Sequence, residues 1–282
     1  MRLLRYGAPG NEKPGILDSN GGIRDLSEIV TDIDGSIFRS EVMAHLKDVN
    51  INTLPHVDGN TRLGPCVNGS KNFVCIGLNY ADHAAEANRP VPKEPIIFMK
   101  SVSAIAGADD DIEIPRGSTN TDWEVELGVV IGKRAKYIEA ADWKDYVGGY
   151  CTVNDVSERT FQSKREGQWT KGKSHDTFGP IGPWLVTTDE VSDPQNLRLW
   201  CDVDGHRYQN GSTKTMIFDV AYLVTYLSQF MTLYPGDIIA TGTPPGVGMG
   251  VKPQAVFLKP GQKVVMEVEG LGQQNHLMIN SI

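Results

Sequence analysis

Trp123-Glu124-Val125-Glu126-Leu127-Gly128-Val129-Val130 is apolar at every second position and acidic in between at its start. Side chains alternate across a β-strand. As a strand, the segment places Trp123, Val125, Leu127 and Val129 on one face and Asp122, Glu124 and Glu126 on the other. Carboxylates crowded on one face of an otherwise apolar strand repel each other and resist burial. A hard divalent cation removes both penalties, because Mg²⁺ accepts carboxylate oxygens at about 2.0–2.1 Å. An edge strand with its acidic face in water fits the same pattern, and the pattern leaves both readings open. A rival pair, Glu267 and Glu269, also lies in an apolar stretch and reads better as a terminal hairpin with its polar face in water.

Working outward, Asn72 to Gly77, Pro95 to Lys100, Val147 to Val153, Asp237 to Thr241 and Lys263 to Val268 read as strands. Asn79 to Asn88 reads as a short alanine-rich helix, Ser157 to Glu166 as helix or loop, and Asp219 to Phe230 as an amphipathic helix. Short apolar runs from Arg2 to Leu26, punctuated by Pro-Gly and Asn-Gly-Gly, read as a small meander; residues 36 to 48 look weakly helical and residues 53 to 64 read as a linker. Strands dominate, so the fold class is β-rich α+β. The domain division expected is a small N-terminal β domain over residues 1–65 and a catalytic domain over residues 66–282.

The formal net charge of -8 argues against a nucleic-acid or anionic-membrane partner. It also requires local cations or a metal wherever an anionic substrate is to bind. Cys66, Cys75, Cys151 and Cys201 form no CxxC pair and read as reduced packing thiols. No apolar run approaches the roughly 20 residues of a membrane span, and the first residues reach Gly7 and Pro9 too early for a signal peptide. A soluble cytoplasmic protein is the expectation. Gly167 to Ser174 satisfies the P-loop spacing but lacks the strand before and the helix after that phosphate binding needs. The run Thr241 to Gly250 carries Pro244 and Pro245 where a Rossmann turn would open into a helix.

Three further groups carry chemistry. Asp155 follows the strand ending at Val153; it is a turn residue, or else the third oxygen ligand of a three-carboxylate site. Such all-oxygen ligation favours Mg²⁺, Mn²⁺ or Ca²⁺ over Zn²⁺ or Cu. His83 and Glu86 are neighbours on a helix face. A carboxylate beside an imidazole fixes its tautomer and raises its basicity, as a general base requires; a surface ion pair is the alternative. Lys173, near Trp169 and Phe178, reads equally as a desolvated substrate clamp or a surface residue. The small or polar residues Asp82, Ala84, Ala85 and Ala87 give the His83 segment little apolar anchorage, so a mobile lid is expected.

Lys71 to Glu86, Asp122 to Lys133, Gly148 to Asp155, Trp169 to Pro180, Pro235 to Gly248 and Val264 to Gly272 occur in one order. Together they resemble the fumarylacetoacetate hydrolase superfamily, closest to its acylpyruvase-like branch. The resemblance implies a mixed β-roll or barrel-like catalytic domain in a homodimer. It implies Mg²⁺ or Mn²⁺ held by Glu124, Glu126 and Asp155, a His83–Glu86 dyad on a segment that orders over substrate, and Lys173 as a catalytic cation. It places Arg159 and Gln162 on the substrate side and Thr243 in the loop that contacts the substrate carboxylate. The implied activity is cleavage of the C3–C4 bond of a small 2,4-dioxo acid. The opening Leu-Leu-Arg-Tyr-Gly resembles members known as ureidoglycolate lyases or 2,4-dioxo-3-deoxy sugar acid hydrolases. An oxaloacetate-type decarboxylase and a metal-binding protein without catalysis stand as the other readings.

Overall fold

The computed structural model describes residues 1–86 and 88–281. The strand Val125–Ile131 is buried along its whole length, and the reason lies in its two neighbours and two cores. It pairs antiparallel with Val147–Asn154 on one side and Ile238–Ala240 on the other. Val125, Leu127, Val129 and Ile131 join a large apolar cluster with Leu199, Val264, Met266 and Met278, and with Val220, Leu223 and Leu227 of the helix Val220–Ser228. Val130, on the opposite face, joins a second cluster with Phe73, Cys75, Ile37 and Leu46. A slip of one residue would exchange the two faces, so the odd-numbered apolar residues hold Glu124 and Glu126 on the side facing away from the large core.

The sheet containing this strand has ten members. Their order is His56–Val57, Ile23–Asp25, Lys13–Leu17, Arg2–Tyr6, Leu185–Thr187, Val147–Asn154, Val125–Ile131, Ile238–Ala240, Phe73–Gly77 and Ile96–Lys100. All pairs are antiparallel except Ile238–Ala240 with Phe73–Gly77. The strand read at Asp237 to Thr241 lies inside the sheet, between Val125–Ile131 and Phe73–Gly77. The opening meander continues the same sheet, because Arg2–Tyr6 pairs with Leu185–Thr187.

A five-stranded sheet covers the large core, in the order His206–Ser212, Arg198–Val203, Lys263–Val268, Gln273–Asn280 and Ile112–Ile114. Glu267 belongs to this second sheet and is half-buried; Glu269 lies in the turn after its strand and is exposed, accepting from the Arg198 amide at 3.0 Å. Strands outnumber helices, as the β-rich α+β reading expects, and the two longest α-helices have nine residues each. Among the described residues no helix is long and apolar enough to cross a membrane. The four cysteines are buried free thiols.

Truncating one of the core-facing side chains tests this arrangement. Leu127→Ala is expected to lower unfolding free energy by about 2–5 kcal/mol, read by denaturant titration. A cost well below 1 kcal/mol would place Leu127 outside a packed core.

Candidate metal centre and active site

Strand pairing assembles the acidic cluster. Val125 stands opposite Asn154 in the ladder, and the Asp155 amide donates to the Glu124 carbonyl at 3.0 Å. Asp155 and Glu124 are thus side by side at the end of two adjacent strands, with Glu126 two residues further along the same face. One oxygen from each of Glu124, Glu126 and Asp155 lies within 4.8 Å of the others, and all three residues are buried. Asp122 shares their face but is committed elsewhere. Its carboxylate accepts from the Gly248 and Met249 amides at 2.6 and 3.0 Å and from Arg159 Nε at 2.8 Å.

Three buried cations surround the triad. Lys173 Nζ donates to Glu124 Oε2 at 2.9 Å and to Asp155 Oδ2 at 2.7 Å. Arg159 Nη1 pairs with Glu124 Oε1 at 2.7 Å and reaches Gln162 Oε1 at 3.2 Å. Lys100 Nζ donates to Asp155 Oδ1 at 2.6 Å and to the Val156 carbonyl at 3.0 Å. Lys173 is delivered by the short helix Thr170–Lys173, which presses against Arg159–Ser163. Gly172 is required there, since a Cβ would fall 2.4 Å from both the Glu158 carbonyl oxygen and the Gln162 amide nitrogen. The P-loop-like spacing therefore serves a lysine aimed at carboxylates.

These cations do not serve the three carboxylates equally. Burial pushes Glu124 up, but Lys173 and Arg159 outweigh it and hold the carboxyl well below the usual range. Burial raises Glu126 too, and the nearby Asp155 and Glu124 carboxylates raise it further, so it stands well above its ordinary value. Glu126 receives one hydrogen bond, from the Gly242 amide at 2.7 Å, and has no ion pair among the described residues. A buried carboxylate without a direct ion pair, in a cluster of oxygen donors, suits a hard divalent cation.

Beside the triad, His83 Nδ1 lies 3.0 Å from Glu86 Oε2. With Nδ1–H donated to Glu86, Nε2 keeps a free lone pair. His83 also contributes to the lowering of Glu124, which puts it within electrostatic reach of the cluster. Glu86 Oε1 accepts from the Gly246 amide at 3.0 Å. Gly246 has φ +101°, and a Cβ there would meet the Tyr208 carbonyl oxygen at 1.9 Å. The expectation of a weakly anchored segment is corrected here. Ala84 and Tyr80 are fully buried, and Asn79 Nδ2 donates to the Phe218 and Thr241 carbonyls at 3.0 and 2.7 Å. The helix Ala81–Glu86 is tied down at its base by a tyrosine and an asparagine that precede it; Ala87 lies outside the described residues.

Arg159 and Gln162 face the cluster from one helix turn. The Thr243 hydroxyl is engaged internally, donating to the Val125 carbonyl and accepting from Gln209 Nε2, both at 2.8 Å. Lys100 and the clamping role of Asp122 were not read from sequence. For Lys100 a signal exists, since alternation along Ile96-Ile97-Phe98-Met99-Lys100 puts the lysine on the buried face of Phe98.

The family model described as fumarylacetoacetate (FAA) hydrolase C-terminal matches residues 72–278. The chain belongs to the fumarylacetoacetate hydrolase family. A Burkholderia multivorans relative, 62% identical over 277 residues and covering 98% of both chains, is named only as a hydrolase. Among solved structures, fumarylacetoacetate hydrolase from Exiguobacterium antarcticum is 33% identical with a TM-score of 0.88 over the full length of both chains. Maleylpyruvate hydrolase from Sphingobium sp. SYK-6, in complex with manganese(II) and pyruvate, is 26% identical with a TM-score of 0.83, also over both full lengths. A 2-hydroxyhepta-2,4-diene-1,7-dioate isomerase from Mycobacterium marinum is 32% identical with a TM-score of 0.78, covering 100% of this chain and 99% of that one. This fumarylacetoacetate hydrolase family member thus has hydrolases and isomerases among its relatives.

The unequal carboxylates give opposite stability signatures in chelator-treated protein. Glu126 has a raised folded pKa, so its contribution worsens as pH climbs above the ordinary glutamate value of about 4.3. Glu126→Gln is therefore expected to raise Tm at about pH 8, by roughly 2–4 °C for each kcal/mol relieved, with the gain fading toward about pH 4. Glu124 has a depressed folded pKa, so its contribution is present above the ordinary value and lost only in acid. Glu124→Gln is expected to lower Tm at about pH 8. Thermal melts over the pH range check both signs, and equal shifts for the two variants would contradict the assignment.

Proposed function

We propose that the protein is a divalent-metal-dependent hydrolase that cleaves the C3–C4 bond of a small 2,4-dioxo acid, releasing pyruvate and a carboxylic acid. The observation that carries this reading is the buried Glu124–Glu126–Asp155 triad with Lys173 on its inner side and the His83–Glu86 pair beside it. The Sphingobium relative, described with manganese(II) and pyruvate, supports both the metal and the proposed product. Glu124, Glu126 and Asp155 would hold Mg²⁺ or Mn²⁺. That cation, when bound, supplies Lewis-acid polarisation and a template for the substrate carboxylate and 2-oxo group.

The chain's own residues account for the rest. Glu86 holds the His83 ring, and His83 Nε2 takes a proton from water. The hydroxide attacks the C4 carbonyl, the C3–C4 bond breaks with its electron pair left on C3 as pyruvate enolate, and C3 then takes the proton held by His83 to give pyruvate. The Lys173 ammonium, already charged within the cluster, hydrogen-bonds the enolate oxygen. Arg159 and Gln162 orient the substrate. The cations also answer the charge problem of an anionic substrate on a chain of net charge -8.

A second reading, isomerisation of a dienol acid, is favoured by the isomerase among the structural relatives. It needs the same cluster and an acid–base group, but no bond to water. Turnover of an acylpyruvate, ureidoglycolate, oxaloacetate and a 2-hydroxydienoate with Mn²⁺, followed by product NMR, separates the readings. Pyruvate with a carboxylic acid is expected; turnover confined to any of the other three would displace the hydrolase reading. His83→Ala is expected to lower kcat roughly 10²–10⁴-fold while leaving Tm and Mn²⁺ affinity near wild type. Glu124→Gln, Glu126→Gln and Asp155→Asn are expected to lose Mn²⁺ binding by titration calorimetry, and Glu267→Gln to keep it. Intact binding in Glu126→Gln would remove the metal assignment.

A further inference from the structure

Of the three buried cations around the triad, Lys100 is the one that the proposed chemistry does not use. Its side chain is fully buried, and the Phe178 ring lies 6.0 Å from Nζ. It rises from the last residue of Ile96–Lys100, the edge strand of the ten-stranded sheet. Its contacts differ in kind from those of Lys173. Lys173 bridges Glu124 Oε2 and Asp155 Oδ2, two oxygens inside the triad. Lys100 bridges Asp155 Oδ1 and the Val156 carbonyl, a backbone group outside it. The backbone bond ties the ammonium to the fold, and the ammonium in turn ties Oδ1. Asp155 is thereby held in one rotation about its carboxylate, with Oδ1 on Lys100 and Oδ2 on Lys173, the ammonium it shares with Glu124 Oε2.

We propose that Lys100 is a positioning residue that restricts Asp155 to single-oxygen ligation and so biases the site against calcium. This rests on the metal-site reading given above. Mg²⁺ and Mn²⁺ favour octahedral shells in which carboxylates bind through one oxygen, whereas Ca²⁺ takes six to eight oxygens and readily accepts both from one carboxylate. All-oxygen ligation by three carboxylates does not by itself discriminate among these ions. Both Asp155 oxygens carry an ammonium, but Lys173 is held only by triad carboxylates and yields to a cation bound among them, whereas Lys100 is also anchored on the Val156 carbonyl, so Oδ1 stays committed and cannot swing in to fill a larger shell. Single-oxygen ligation also leaves coordination positions for the two oxygens of a 2-oxo acid.

The test compares Mn²⁺ and Ca²⁺ affinities by titration calorimetry, with Mn²⁺ EPR as a second readout, on chelator-treated wild type, Lys100→Met, Lys100→Gln and Lys100→Arg. Removing the positive charge changes the attraction of the site for both ions, so the ratio of affinities is the informative quantity. Wild type is expected to prefer Mn²⁺. Lys100→Met is expected to move the ratio toward Ca²⁺ about tenfold or more, the scale of one hydrogen bond to a charged group, and to alter the Mn²⁺ EPR line shape. Lys100→Arg, which keeps both charge and donors, is expected to restore the wild-type ratio. Lys100→Gln is the better-tolerated neutral variant and is expected to shift the ratio in the same direction if Lys100→Met does not fold. An unchanged ratio in either folded neutral variant overturns the proposal while leaving the metal site standing. A wild type that binds neither ion overturns the metal site and this proposal together.

Discussion

Everything at the candidate site follows from carboxylates that cannot turn away from one another. The apolar residues at 125, 127, 129 and 131 are locked into the large core, so the alternation of the strand drives Glu124 and Glu126 to the opposite side, within reach of Asp155. Placing three negative charges together in a buried cluster is unfavourable without compensation. The surrounding architecture supplies it from separate elements: a lysine from an edge strand, a lysine and an arginine from two short helices, and a backbone amide from the loop after Ile238–Ala240. Compensation is incomplete at Glu126, and that deficit points to a divalent cation more directly than the acidic composition does.

Parts of this were legible in the sequence because they depend on local periodicity. The two-residue period around Glu124 and Glu126 identifies their shared face, and the spacing of His83 and Glu86 identifies a pair on one helix turn. Asp155 was readable as a candidate but not as a certainty, since a strand-end aspartate serves equally well as a turn residue. The triad became a firm expectation through the family's order of motifs, and periodicity offered no way to prefer it over Glu267 and Glu269. What separates the two pairs is tertiary: one strand is sandwiched between two cores, whereas the other belongs to a sheet whose outer face meets solvent.

The rest was invisible for the same reason. The bond from the Gly246 amide to Glu86 joins residues 160 apart in the chain, and no local pattern encodes it. Whether Asp122 would ligate or clamp depended on where the Gly248 and Met249 amides came to lie. The hairpin from Arg198–Val203 to His206–Ser212 does carry a local signal in Asp204-Gly205, whose φ values of 49° and 79° suit a primed two-residue turn. The union of the opening meander with the main sheet rests on Arg2–Tyr6 pairing with Leu185–Thr187, a contact between segments far apart in the sequence.

Glu86 has two attachments, to His83 on its own helix and to the amide of Gly246 in the glycine-rich loop. One carboxylate therefore couples two walls of the site mechanically. The helix cannot swing outward with its histidine unless the loop follows or the Gly246 bond is broken first. Any outward movement of His83 is thereby linked to the glycine-rich loop, which is itself anchored on Asp122 through the Gly248 and Met249 amides.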